Sequence, residues 1–281
     1  MVTTGTIRHA QNLVADAEAD VDELLATLNA AAAAVEDAIE SLPEHIRIRR
    51  AGGHPDQFQL DVVADRAVWS VLEASGYGMI SEESGRRAGN EDIIVVVDPI
   101  DGSVNCSRGV GPYGPSLCAM DRHGPLAAVV LNLPTSRRYE AVRGRGARLN
   151  GNPLSAPTRR ERLALIATGD PCPYLERFAV NDLPSVYTRM SGASAHDLCA
   201  VADGSYDGYV DCVNTVSLWD YLGASLVLTE AGGFVEERTG TDLADLRDPR
   251  PRRLLAAASV MQLEELRTWV ESRHLSGNAS H

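Results

Sequence analysis

Lysine is missing from this chain: all 26 basic residues among its 281 are arginine. That absence removes a phosphate-cradling P-loop, which needs a lysine after its glycine-rich turn, and any Schiff-base chemistry on a lysine amine. Basic charge is also scarce against 39 acidic residues, giving a formal net charge of −13. A surface of that sign repels nucleic-acid phosphates unless a local basic patch offsets it. The densest cluster, Arg47 to Arg50, is short and has no interleaved aromatics, so no nucleic-acid partner is expected. Long apolar runs are lacking too. None approaches the ~18 residues that span a bilayer, so no membrane partner is expected. The opening MVTTGTIRHAQN has no basic-then-apolar leader, which makes a cytoplasmic location the expectation. The five cysteines are odd in number and have no CxxC spacing, which favours reduced thiols over a disulfide framework or a zinc site. There is no HExxH and no GxSxG. GVGPYG (109–114) has the spacing of a dinucleotide-binding turn, but it contains Pro112 and opens no helix.

What is present is an alternation of helices and strands. Residues 9 to 41 carry Ala, Leu and Val at helical spacing and stop before Pro43, predicting one or two long helices. Residues 44 to 60 read as a loop or irregular hairpin. ADRAVWSVLEAS places Ala64, Ala67, Val68, Val71 and Leu72 on one helical face, closed by Gly76. GMIS (78–81) and DIIVVV (92–97) read as strands, the second buried on both faces. Further strands are expected at 115–120, 126–133 and 137–142. The Gly-, Pro- and Arg-rich stretch 144–162 is the best candidate boundary. It divides the chain into an N-terminal α+β half, 1–155, and a C-terminal α/β half, 156–281. In the second half, LALIATG, SVYTRM, DGYVD, GFVEE and LLAAAS read as strands. They alternate with helices near 173–181, 193–203, 218–231 and 261–273.

Acids recur at the ends of these elements. In VVVDPIDGS, Asp98 and Asp101 follow a strand apolar on both faces. Asp-Pro-x-Asp-Gly is turn chemistry in its own right, yet a carboxylate at a core edge is costly without a partner. Gly102 and Ser103 then offer backbone N–H groups and a hydroxyl, a combination suited to an anion. Carboxylates beside such a cradle require cations between them, and an all-oxygen donor set points to Mg²⁺ or a close relative. Glu82 and Glu83 end a short strand in ISEESG. Asp61 and Asp65 lie four apart near a helix start, where acids are favoured by the helix dipole. Ser217 and Asp220 fit a capping box. His196 reads as an ordinary helix residue, and Trp219 as a packing residue that orients Asp220.

In combination, D-x-x-A-D, then S-E-E, then D-P-I-D-G-S, then W-D before a helix ending E-A-G-G resembles the inositol monophosphatase superfamily. The resemblance runs from about residue 60 to 235. GRGARLNG and RMSGASAHDLCAVADGSYDGYVD also look like segments of that superfamily. ISEESG, VVADRA and the nine-residue gap from Asp211 to Asp220 look most like its archaeal-type fructose-1,6-bisphosphatase/inositol monophosphatase branch. The resemblance implies an α/β (α+β) fold layered α-β-α-β-α, and a phosphomonoesterase that uses two or three Mg²⁺ ions, with Mn²⁺ as a substitute. By motif position, Glu82, Asp98 and the Ile100 carbonyl would bind one ion, and Asp98, Asp101 and Asp220 a second. Asp65, with Glu82 nearby, would hold a third ion or the attacking water, partnered by the Ser103 hydroxyl. Glu83 sits in the same motif with a weaker claim. The Gly102 and Ser103 amides would grip the phosphate. Gly192, Ala193, Ser194 and Asp211 would meet the alcohol part of the substrate, bordered by Asp101 and Asp220. Relatives are commonly dimers, so a homodimer is expected.

This chain departs from the family pattern in places. Ser103 stands where threonine is usual. The loop before the first acidic motif, where relatives often carry lysine, has only Arg47, Arg49 and Arg50. Cys106 and Pro112 replace bulkier residues. The expected activity is hydrolysis of a small sugar, cyclitol or polyol phosphate ester by a metal-activated water. Fructose-1,6-bisphosphatase or a pathway-specific sugar phosphatase is the alternative, and histidinol phosphate is a further substrate that relatives cleave. A 3′-phosphoadenosine 5′-phosphate phosphatase is disfavoured by the scarcity of aromatics. A non-catalytic ligand-binding relative is disfavoured because no expected acid is missing.

Overall fold

The computed structural model describes residues 4–53, 57–157, 165–168, 187–211, 214–248 and 250–277. The expected helical stretch at the start is one helix, α1 (Thr4–Glu40). Leu24, Leu28, Ala31, Ala32, Val35 and Ile39 form its buried stripe, at the spacing that keeps side chains on one helical face. Pro43 stops it, and a single turn, α2 (Glu44–Arg47), follows where a loop was expected. Arg47 donates from Nε to the Leu42 carbonyl (3.1 Å) and from Nη2 to the Ile39 carbonyl (2.6 Å). It thereby satisfies acceptors that the helix end leaves open. The next helix, α3 (Gln59–Ala74), starts before its apolar face does. The Asp61 carboxylate accepts the Phe58 N–H at 2.7 Å and caps the first turn.

The first sheet contains β1 (Tyr77–Ser81), β2 (Gly85–Arg87), β3 (Asn90–Asp101), β4 (Gly114–Asp121), β5 (Gly124–Asn132), β6 (Arg137–Val142), β7 (Gly146–Leu149) and β8 (Asn152–Leu154). Their order is β2-β1-β3-β4-β5-β6-β7-β8, antiparallel except for the β1–β3 pair. The Gly-, Pro- and Arg-rich stretch therefore begins inside this sheet, as the β7–β8 hairpin. The second sheet holds β9 (Leu165–Thr168), β10 (Tyr187–Arg189), β11 (Gly208–Val210), β12 (Phe234–Glu237) and β13 (Leu254–Ala257), ordered β10-β9-β11-β13-β12. The remaining described helices are α4 (Ser103–Arg108), α5 (Ser194–Ala202), α6 (Leu218–Glu230) and α7 (Val260–Gly277). The helix expected near 173–181 lies outside the described residues, as do Cys172 and Cys212.

Side-chain alternation explains the layering. On β3, Val95 and Val97 pack with α1 and α3 residues, whereas Val96 points into the core shared with α5 and α6. The same split recurs on β4, where Leu117 and Ala119 face one way and Cys118 the other. A strand buried on both faces needs apolar residues at both parities, which is why DIIVVV does not alternate. On β13, Leu254 and Ala256 join the α5/α6 core, while Leu255 and Ala257 pack with Leu263, Leu266 and Trp269 of α7. The order is α1 and α3, first sheet, α5 and α6, second sheet, α7: an α-β-α-β-α sandwich. The two halves meet in one central core, because α5 and α6 are enclosed between both sheets.

Candidate active site

Four acids converge where β3 leaves the first sheet. The β3–β4 pairing slips between Asp98 and Asp101: Asp98 stands opposite Ser116, and Asp101 opposite Gly114. Three steps on one strand match two on the other, a bulge built around Pro99, which has no N–H to give the ladder. The slip puts Asp98 and Asp101 on one end of the sheet without opening it, and both are buried, 2% and 6% exposed. Asp98 Oδ1 accepts the Ile100 N–H at 3.0 Å. Asp101 Oδ2 accepts the N–H groups of Ala195 (2.8 Å) and His196 (3.3 Å), which tie the start of α5 to the end of β3. Asp220 arrives from the first turn of α6, where its Oδ2 accepts the Ser217 N–H at 2.6 Å. Glu82 comes from the β1–β2 hairpin turn and is the exposed member of the set.

Carboxylate oxygens of Glu82, Asp98 and Asp220 lie within 4.8 Å of one another. At that separation each ionised pair repels by about 3.5 kcal/mol at an effective dielectric of about 20. Protons are retained accordingly. Asp98 is held well above the usual carboxylate range, first by burial and then by Glu82, Asp101, Asp220 and Asp61. Burial likewise raises Asp101, against the pull of the His196 and Ala195 amides. Glu82 is pushed up to about 8 by desolvation of its carboxyl and then by Asp220, Glu83 and Asp61. Asp220 also reaches about 8, through burial, Asp101 and Asp211, despite its bond from Ser217. Donors that are all oxygen, close together and in mutual repulsion fit a divalent cation.

The structure brings Glu82, Asp98, Asp101 and Asp220 together and places Asp211 beside Asp220. Asp211, at the end of β11, accepts the Thr215 N–H at 3.2 Å. Gly102 turns β3 into α4 at φ +85°, and a Cβ there would stand 2.9 Å from the Pro112 carbonyl and 3.1 Å from the Ala193 Cβ. The Gly192–Ser194 loop is thus packed directly against Gly102, and Ser194 Oγ accepts a bond from the Tyr209 hydroxyl (3.0 Å). Ser103 Oγ donates to the Ile100 carbonyl at 2.9 Å. The Asp65 carboxylate takes bonds from Ser81, Ser84 and Arg87, on the hairpin that carries Glu82. The fifth acid whose charge reaches Glu82 and Asp98 is Asp61, 2% exposed. In D-x-x-A-D the helix dipole alone explains an acid at this position. What distinguishes Asp61 from Asp65 is its set of partners, which only the fold supplies. Arg47 is committed to the end of α1, and the Arg50 guanidinium lies 4.0 Å over the Phe58 ring. His196 is buried and pushed down to about 4, chiefly by desolvation, so it is neutral. Trp219 packs against the central core, and its carbonyl accepts from Ser116 Oγ at 3.3 Å.

A sequence model of the inositol monophosphatase family matches residues 20–274. The chain belongs to that family. The fructose-1,6-bisphosphatase/inositol-1-monophosphatase of Methanothermobacter thermautotrophicus is 34% identical over 76% of this chain and 82% of its own length. The Nus factor SuhB of Escherichia coli is 28% identical over 70% of this chain and 78% of its own. Among solved structures, a Pyrococcus horikoshii protein described as similar to inositol-1 monophosphatase is 26% identical. It has a TM-score of 0.66 and covers 78% of this chain and 86% of its own. The suhB suppressor protein of Bartonella henselae, at 24% identity and a TM-score of 0.70 over 85% of this chain and 96% of its own, shares the fold. As a family member the chain is an enzyme, a metal-dependent phosphatase, and its acid cluster is the residue set suited to holding the metal. Among the described residues no helix is long and apolar enough to cross a membrane.

Proposed function

We propose that this phosphatase uses Mg²⁺ to hydrolyse a small sugar, cyclitol or polyol phosphate. The observation that carries the reading is the approach of Glu82, Asp98 and Asp220 within 4.8 Å, with Asp101 acting on the same group. A purely oxygen donor set suits a hard cation, and Mn²⁺ shares enough of that preference to substitute. Glu82, Asp98 and the Ile100 carbonyl would hold one ion, and Asp98, Asp101 and Asp220 a second. Bound cations supply neutralisation of the phosphoryl oxygens and a more acidic water.

The chain's own groups do the rest. Asp65, bonded to the hairpin that carries Glu82, would help hold a third ion or the attacking water, and Asp61 is a further carboxylate whose charge reaches the cluster. The Ser103 hydroxyl, beside the Ile100 carbonyl, orients that water. The amides of Gly102 and Ser103 meet the phosphate, with a left-handed glycine setting their direction. The Gly192–Ala193–Ser194 loop, packed on Gly102, and Asp211, beside Asp220, meet the alcohol. A small polar alcohol suits this setting of hydroxyl, amide and carboxylate groups. Fructose 1,6-bisphosphate is the second reading, favoured by the names of archaeal relatives such as the fructose-1,6-bisphosphatase of Pyrococcus furiosus, 28% identical over 66% of this chain.

Phosphate release from a panel of inositol phosphates, fructose 1,6-bisphosphate, histidinol phosphate and 3′-phosphoadenosine 5′-phosphate tests this. Release should require Mg²⁺, stop with EDTA, and fall by orders of magnitude in Asp98→Asn. Turnover indifferent to EDTA or to Asp98→Asn, or no release from any member, would overturn the reading.

A further inference from the structure

We propose that Arg252 is a positioning residue: a cation sealed inside the connection between β12 and β13, it makes that connection a backstop for the first turn of α6 and so holds Asp220 in the acid cluster. This rests on the reading above that Asp220 holds a metal ion. Arg252 is 0% exposed, the largest of the fully enclosed side chains among the described residues. A charge taken out of water is costly unless other oxygens replace the water. Here they come from one segment. The guanidinium donates from Nη1 to the Arg250 carbonyl and from Nη2 to the carbonyls of Asp242 (3.3 Å) and Asp248 (3.3 Å). Its Nη1 also lies 3.7 Å from the Asp248 carboxylate. Residues 238–248 form no helix or strand. Their own bonds are local: Asp242, Asp245 and Asp248 each accept the N–H two residues on. Arg252 reaches back ten residues to Asp242 and gathers these turns around itself.

The gathered segment meets α6 in two places. The Arg252 N–H donates to the Val216 carbonyl at 2.8 Å, directly ahead of Ser217, whose own N–H anchors Asp220. Tyr221, next to Asp220 in the chain and 0% exposed, donates its hydroxyl to the Leu243 carbonyl at 2.7 Å. Burial pushes that hydroxyl up, and the Arg252 guanidinium beside it pulls against the rise. Leu243, Ala244 and Leu246 pack against the central core, so the backstop is itself held. The first turn of a helix is where N–H groups lack partners and fraying begins. Asp220 sits on such a turn, repelled by Asp101 and Asp211, and its own charge acts on Glu82 and Asp98. An unbraced turn would relieve that repulsion by opening, and would take the ligand with it.

Two substitutions loosen the brace without touching the cluster. Tyr221→Phe removes the hydroxyl and keeps the ring in the core. Arg252→Met removes the charge at similar length and leaves the three carbonyls without their donor. Titration calorimetry of the full chain with Mn²⁺, kcat measured against Mg²⁺ concentration, and metal-free Tm are the readouts. A residue that only stabilises the fold lowers Tm and leaves affinity unchanged well below it. Tyr221→Phe should bind Mn²⁺ about 10-fold more weakly, the lower end for groups that orient metal ligands, with kcat recovered at saturating Mg²⁺. Arg252→Met should lose at least as much. In an Asp220→Asn background, Tyr221→Phe should cost no further affinity, because two changes acting through one ligand do not add. Wild-type affinity in Tyr221→Phe would overturn the proposal, and that variant decides the matter if Arg252→Met does not fold. So would a loss of equal size with and without Asp220→Asn. Wild-type protein that binds no cation would overturn the functional reading, and this inference with it.

Discussion

Replacing Asp98 by asparagine should stabilise the metal-free protein at pH 8 while destroying its use for metal. Asparagine is the right substitution because its Oδ1 can still accept the Ile100 N–H that Asp98 accepts at 3.0 Å. Three carboxylates within 4.8 Å make three repulsive pairs, each worth about 3.5 kcal/mol when both members are ionised at an effective dielectric of about 20. Removing Asp98 leaves one of the three pairs. The full gain is not available, since the folded cluster avoids most of the repulsion by keeping protons. The cost at high pH is that of holding those protons while the unfolded chain releases them. Carboxyls raised in the folded state contribute stability that is fully present below the ordinary carboxylate range. It is lost as pH rises through the folded values, about 8 for Glu82 and for Asp220. Asp98→Asn should therefore gain about 1–3 kcal/mol at pH 8 and much less at pH 5. For a chain of this size that is a Tm increase of a few degrees. In millimolar Mg²⁺ the order should reverse, with the wild type rising by about 2.7 kcal/mol when the ion is at a hundred times its Kd and the variant barely moving. Thermal melts in EDTA and in Mg²⁺ at both pH values measure all four quantities. Equal effects at pH 5 and pH 8 in EDTA, or a destabilised variant at pH 8, would refute the repulsion account.

Two further substitutions test the neighbouring residues. Gly102→Ala places a Cβ 2.9 Å from the Pro112 carbonyl at a backbone φ of +85°, so a loss of about 1–3 kcal/mol is expected. Its activity should fall further than its stability explains, measured by kcat/KM beside a denaturant melt. Ser103→Thr keeps the hydroxyl that donates to the Ile100 carbonyl and should retain activity within a few-fold. Ser103→Ala should lower kcat with little change in metal affinity, read by kinetics and calorimetry together.

Much of the site was legible because each acid has a local reason to be where it is. Asp98 caps its own turn through the Ile100 N–H, and Asp61 and Asp220 cap their helices through Phe58 and Ser217. Turn and capping chemistry leave marks at fixed spacing, so these acids stood out in the chain. Those same marks made local explanations sufficient for each acid taken alone. Local capping and the site are not alternatives: the backbone N–H that anchors a carboxylate also fixes its direction toward the others. Asp61 and Asp65 show the limit. Four residues apart on one helix, they share a face, yet one acts on Asp98 and the other takes Ser81 and Ser84. Nothing in D-x-x-A-D separates them, since the difference lies in what packs above each.

By itself the amino-acid sequence determined most elements and their faces: long helical character over residues 9 to 41, doubly buried strands and acids at element ends. These follow from periodicity and from backbone groups that must be satisfied nearby, and both are encoded within a few residues. Tertiary structure decided which acids meet. Glu82, Asp98 and Asp220 are separated by 16 and 122 residues along the chain, and they converge because β1 lies parallel beside β3 while α6 packs across the same sheet. It also decided which arginines are committed elsewhere, and that Asp65 bonds to Ser81 and Ser84. Such assignments depend on distances between elements, and those distances exist only once the two sheets have closed on α5 and α6.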